Sequence, residues 1–236
     1  MTLLGYLRSV PRGALVVALM AVIPGLVHGS ARAWSNGTEG CNSYGTHDLV
    51  LDEALDMAGD DAAWVMGRVA LRATDDPDCK DGIDHASGTW WHVYDVWGDQ
   101  WGGADEAARV WFHRMERRLG AGNERGASKV LGILAHIVGD VAQPMHTDSS
   151  NREDRVHSNY ESAVDRRVGE YRFTYDGADA ATAGARTRQL ARNAHRYYWE
   201  LVRAYDNHSY NDRVDAITRR QLNRAANALA DLITSA

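Results

Sequence analysis

Leu134-Ala135-His136-Ile137-Val138-Gly139-Asp140-Val141-Ala142-Gln143-Pro144-Met145-His146 is the stretch on which the reading of this chain turns. His136 and Asp140 are four residues apart, so on a helix they stand one above the other on a single face. Ile133, Val138 and Val141 around them are apolar, which puts an imidazole and a carboxylate in or near the core. A charge stranded there is costly unless partnered, and a shared cation would satisfy both groups. Pro144 ends the helix and throws His146 onto the following loop. Further on, His157-Ser158-Asn159-Tyr160-Glu161 repeats the i, i+4 geometry with a second imidazole and a second carboxylate. A single pair of this kind reads most simply as a core histidine held by an acid. Two pairs and a loop histidine within 26 residues read as metal ligands.

Helical periodicity spreads outward from this string. His47–Ala58 sets Val50, Leu51, Ala54, Leu55 and Ala58 on one face, with Thr46 as N-cap, and a second helix is expected over about 60–73. Thr74 to Gly103 breaks the pattern with Pro77 and five glycines among four tryptophans, and a long irregular stretch inside a domain is usually functional. Helices are expected again at about 104–120, 124–142 and 156–168, then in two long amphipathic stretches at 179–206 and 212–234. A short strand is conceivable only at Tyr171–Tyr175. The arginine clusters Arg114, Arg117, Arg118 and Arg219, Arg220, Arg224 read as solvated helix faces. The expected fold is all-α, one multi-helix domain over 34–236.

The formal charge is −6 with 26 basic and 32 acidic residues, so there is no basic footprint for a long nucleic acid. Two cysteines are too few for a zinc scaffold made of thiolates. Histidine nitrogen with carboxylate oxygen suits zinc in a catalytic site with a position left open for water. Five such ligands exceed one mononuclear site, so at least two ions are implied. Paired metals suit phosphate-ester hydrolysis, because they polarise phosphoryl oxygens, acidify water and offset developing charge.

The N-terminus reads as an address. Arg8 and Arg12 precede an apolar run, Gly13–Val27, that is short for a membrane span and broken by Pro24 and Gly25. Ala31-Arg32-Ala33 follows as an A-x-A cleavage pattern, so residues 1–33 read as a secretory signal peptide, with an uncleaved membrane anchor as the alternative. Cleavage leaves 23 cations against 32 anions, net −9, and makes Trp34 the first residue. Export permits a disulfide, for which Cys41 and Cys79 are the only intrachain pair; two separate thiols are the alternative.

Taken together, the HxxxDxxxPxH string and the HxxxE that follows resemble the metal-ligand pattern of the zinc-dependent bacterial phospholipases C, and more distantly the trinuclear-zinc nucleases of the S1/P1 type. The resemblance covers roughly 34–165 and implies a secreted all-α enzyme built round a cleft holding three zinc ions. It implies that Trp34 chelates one ion through its free amine and carbonyl, together with His47 and Asp140. A second ion would take Asp78, His92, His136 and Asp140, with Asp140 bridging, and the third His146, His157 and Glu161. Asp78 matches by its gap to His92 and its Pro-Asp context, while Asp75 or Asp76 remain alternatives. The same likeness makes Asp78 the general base for the attacking water. Trp90, Trp91 and Tyr94 are available to cage a choline head, although Gly37, Cys79 and Thr89 stand where choline-preferring relatives carry an acid or aromatics. With no chain left for a C-terminal lipid-binding domain, strong membrane lysis is not expected. The expectation is a monomer that releases diacylglycerol and a phosphorylated head group from phospholipid. Its membrane contact is transient, through the tryptophans of 90–101, unless these pack over the cleft. No stable nucleic-acid partner is expected. The rival readings are a single-strand nuclease or 3′-nucleotidase with the same metals, and a zinc-binding module without turnover. His85, His113, His195 and His208 match no motif.

Overall fold

The computed structural model describes residues 41–97, 101–148, 156–177, 179 and 181–236. The signal-peptide reading of 1–33 and Trp34 therefore lie outside the described residues. Nine helices are described: α1 Thr46–Ala58, α2 Gly67–Thr74, α3 Asp76–Cys79, α4 Ala104–Gly120, α5 Glu124–Ala142, α6 His157–Asp165, α7 Ala183–His195, α8 Tyr198–Asp206 and α9 Asp212–Thr234. Short 3-10 turns at Gly59–Ala62, Thr89–Trp91, Pro144–Thr147 and Val168–Glu170 link them. No strand occurs among the described residues, and the domain is all-α.

Helix α5 is the axis. From Val130 to Ala142 every residue is buried, as expected of a helix that is apolar nearly all round. It packs on α1, α2, α4, α7 and α9. The crossing with α2 is backbone to backbone, because a Cβ on Gly132 would come within 2.1 Å of the Ala70 carbonyl oxygen. Asn123 caps α5 by accepting the Gly126 N–H through its side chain at 2.9 Å. Around α5 lies one apolar core with Leu51, Trp111, Leu131 and Leu134. A second gathers Tyr160, Tyr198, Leu201 and Leu222 beneath α6, α8 and α9.

Four local expectations need correction. The cap of α1 is Gly45, not Thr46; its N–H reaches back to the Asp48 carboxylate at 2.9 Å, and Thr46 is buried inside the first turn. The expected helix over 60–73 is a 3-10 turn followed by the shorter α2, with Ala70 buried and Trp64 and Val65 partly buried against the core. The stretch 179–206 is two helices, α7 and α8. No glycine or proline separates them. Both helices pack on the Pro144–Thr147 turn, but only α7 also lies along α4 and α5, so tertiary packing overrides a continuous apolar stripe. Finally, Tyr171–Tyr175 is extended but pairs with no strand. The Thr174 and Asp176 N–H groups donate to Asn223 and Asn227 of α9 at 2.6 and 2.9 Å, and Asp179 N–H to Asp231 at 3.0 Å. Asn227 Nδ2 returns a bond to the Thr174 carbonyl at 2.9 Å. For the step from Thr174 to Asp176 the match is geometric: four helical residues advance about 6 Å, close to two residues of extended chain. α9 thus supplies a comb of side chains where a sheet would supply a ladder.

Cys41 and Cys79 form a disulfide, with Cα atoms 6.1 Å apart. Such bonds belong to oxidising compartments. It fastens the chain that enters α1 to α3.

Candidate metal centre

Four helices and two turns bring the predicted donors together. His47 leaves the first turn of α1, Asp78 sits on α3, and His92 follows the Thr89–Trp91 turn. His136 and Asp140 stand on α5, His146 lies in the turn started by Pro144, and His157 and Glu161 lie on α6. Asp78 is the least buried of these, and its side chain is only 6% exposed. Their ligand atoms form three groups, each with all atoms within 4.8 Å of one another: His47, His136 and Asp140; Asp78, His92 and His136; and His146, His157 and Glu161.

Asp140 is the hub of the first two groups. Its Oδ1 lies 3.3 Å from His47 Nε2, and its Oδ2 lies 2.7 Å from His92 Nδ1 and 3.3 Å from His136 Nε2. Asp78 Oδ1 approaches His92 Nδ1 at 3.8 Å and His136 Nε2 at 3.7 Å. The other two acids of the Asp75-Asp76-Pro77-Asp78 run face elsewhere: Asp75 receives the Asn42 N–H, and Asp76 meets Lys80 and Lys129. In the third group His157 Nε2 is 3.0 Å from His146 Nε2 and 2.7 Å from Glu161 Oε1.

Backbone carbonyls orient the rings. His136 Nδ1 donates to the Thr74 carbonyl at 2.7 Å, and His146 Nδ1 to the His92 carbonyl at 2.8 Å. Carbonyl oxygens only accept, so both histidines spend the Nδ1 proton outward and turn Nε2 to the cleft, the arrangement by which outer hydrogen bonds present imidazole to a metal. His92 thereby contributes its ring to one group and its carbonyl to the orientation of the next. Ring stacking holds His47 against His136, with centroids 4.0 Å apart.

The electrostatics of the donors suit a cation. Burial pushes His136 down, but the Asp140 and Asp78 carboxylates outweigh it and raise its pKa to about 9. Burial would raise Asp140, yet His136 and His92 hold it well below the usual carboxylate range. His146 is the reverse case: burial and the neighbouring His157 push it down to about 3, so it is neutral. Asp140 Oδ1 is buried and accepts no hydrogen bond. A set of buried imidazole nitrogens and carboxylate oxygens, with no thiolate, fits divalent zinc.

Two residues of this region carry no signal in a donor pattern. Gln143 lies inside the decisive string, and its Nε2 sits 2.7 Å from His157 Nε2 and 3.2 Å from Glu161 Oε1 while its Oε1 accepts the Met145 N–H at 2.6 Å. Gly139 makes room for a ligand, since a Cβ there would lie 2.8 Å from His47 Nδ1. Only their position between a proline and two donors hinted at either. His195, matched to no motif, is buried and donates to the Thr147 carbonyl at 3.0 Å. Of the tryptophans, Trp97 is 67% exposed and Trp90 and Trp101 meet edge to face, while Trp91 packs against the core.

Fold and site together define a helical domain whose core holds buried groups of histidine and carboxylate donors able to bind metal. A solved structure shares that fold: the alpha-toxin of Clostridium perfringens from an avian strain, with TM-score 0.63 and 16% identity. The alignment covers 85% of this chain, which spans 64% of the toxin chain's length. At that identity the likeness is one of fold. No protein-family model matches the sequence, and no curated protein matches it either.

Proposed function

We propose that this chain is a secreted, zinc-dependent phosphodiesterase that hydrolyses phospholipids to diacylglycerol and a phosphorylated head group. The observation that carries the reading is the gathering of His47, Asp78, His92, His136, Asp140, His146, His157 and Glu161 into three donor groups. The alpha-toxin-like fold and the phospholipase-like motif wording support it. Asp140 would bridge two ions, one completed by His47 and Trp34 and the other by Asp78, His92 and His136; His146, His157 and Glu161 would hold the third. Bound zinc supplies Lewis acidity toward the phosphoryl oxygens and acidifies water. Asp78 accepts the proton of the attacking water while the bond from phosphorus to the glyceryl oxygen breaks. The Cys41–Cys79 bridge lies seven residues after Trp34, a reach of at most about 24 Å for extended chain, and ties that reach to the helix that bears Asp78. The exposed Trp97 offers an interfacial contact with lipid.

The test is metal analysis and N-terminal sequencing of the processed protein, followed by parallel assays on phosphatidylcholine and single-stranded DNA with zinc. The expected result is a chain starting at Trp34 with at least two zinc ions and turnover of the lipid, lost in Asp78→Asn. Turnover of DNA alone would transfer the reading to the nucleases, and stoichiometric zinc without any turnover would leave a binding module. Fewer than two ions per chain would end the mechanism.

A further inference from the structure

The sequence contains only two lysines, Lys80 and Lys129, and both close on one buried carboxylate. Lys80 Nζ meets Asp76 Oδ1, and Lys129 Nζ lies 3.3 Å from Asp76 Oδ2. The three residues border a concavity of about 430 Å³, together with Arg68 and Arg72 of α2 and Arg125 in the first turn of α5. Among the described residues Asp76 is the only acid that lines it, against five cations, in a chain whose formal charge is −6. Arg109, Arg114, Arg188, Arg213 and Arg219 each meet a carboxylate elsewhere on the surface. Among the described residues, no carboxylate pairs with Arg68, Arg72 or Arg125.

Placement here is unfavourable for the protein alone. Arg68 and Arg72 stand at i, i+4, as do Arg125 and Lys129, and like charges at that spacing repel. The backbone contact of α2 with α5 at Gly132 then holds the two rows beside each other. A concavity with five cations against one carboxylate concentrates its field on a counter-ion. Guanidinium forks match the oxygens of a phosphoryl group in pairs, and a doubly charged group offsets more of the excess than a single carboxylate does. None of the cleft's donors lines this concavity, and α3 divides the two: Asp76 faces the cations and Asp78 the histidines.

We propose that the concavity between α2, α3 and α5 is a second site, separate from the metal cleft, that binds a phosphoryl oxyanion, presented by an anionic lipid surface or by a soluble phosphate. This stands independently of the catalytic reading. The test compares the processed, metal-loaded protein with Arg68→Gln/Arg72→Gln/Arg125→Gln and with the triple lysine replacement at the same positions. Two probes are used: vesicles of phosphatidylcholine with or without phosphatidylglycerol, and inorganic phosphate followed by calorimetry. Removing three charges should weaken binding on the order of a hundredfold. The lysine triple should retain much of it, and a soluble phosphodiester should be hydrolysed at an unchanged rate. Variant-sensitive, salt-dependent binding to the anionic vesicles alone identifies the lipid source, and variant-sensitive phosphate binding with no vesicle preference identifies the soluble one. Binding of both probes by the glutamine triple as by the wild type, as capture at the metal cleft alone would give, overturns the proposal. So does binding of neither probe by the wild type.

Discussion

The two halves of the cleft are built from the same residue types and are electrostatically opposite. Around Asp140, three imidazoles face two carboxylates, and His136 is driven up to about 9 by Asp140 and Asp78 against its own burial. Around His146, two imidazoles share Glu161 and the amide of Gln143, and burial with His157 drives His146 down to about 3. Without a cation, the first half holds a proton on His136, whereas His146 of the second half stays neutral. A metal entering the first half would have to displace that proton.

The sharpest break of that contrast is substitution of one acid on each side. Asp140→Asn in metal-free protein strands a buried imidazolium and should cost about 3–5 kcal/mol. Glu161→Gln, in the half where His146 is neutral, should cost about 1–3 kcal/mol. Urea denaturation of both variants measures the difference, and equal losses would remove the distinction between the halves. Next in size is the pH dependence. A folded pKa near 9 for His136 lies above the ordinary 6.5, so its contribution is complete below about pH 6.5 and disappears as pH rises through about 9. The metal-free protein should lose on the order of 3 kcal/mol across that window, and His136→Gln should flatten the curve. Asp48 and Asp165, raised to about 6 by burial, do most of their titrating below it. The smallest effect expected is that of Gly139→Ala, which pushes the His47 ring away and should weaken the ion it holds about 10–100-fold. Zinc titration with a competing chelator would show it as one weakened site, with the sites of the second half unchanged.

Much of this was legible in the sequence because it is local. The i, i+4 pairs His136–Asp140 and His157–Glu161 declare their shared faces by spacing alone, and α4, α5 and α9 appear close to where their periodicity places them. What was not legible depends on partners far along the chain. The break between His195 and Tyr198 goes with α7, but not α8, packing along α4 and α5. Asp78 separates from Asp75 and Asp76 only when Asn42, Lys80 and Lys129 are seen to occupy the other two. Gly139 and Gln143 owe their parts to His47 and His157, contacts that no window of sequence contains.

The comb of Asn223, Asn227 and Asp231 has one more consequence. An extended segment with free amides invites a foreign strand to add to it, the route by which exposed edges recruit neighbours and seed aggregates. Here the amides of Thr174, Asp176 and Asp179 are already committed to a helix. The segment keeps the shape of a β-edge while giving up its stickiness.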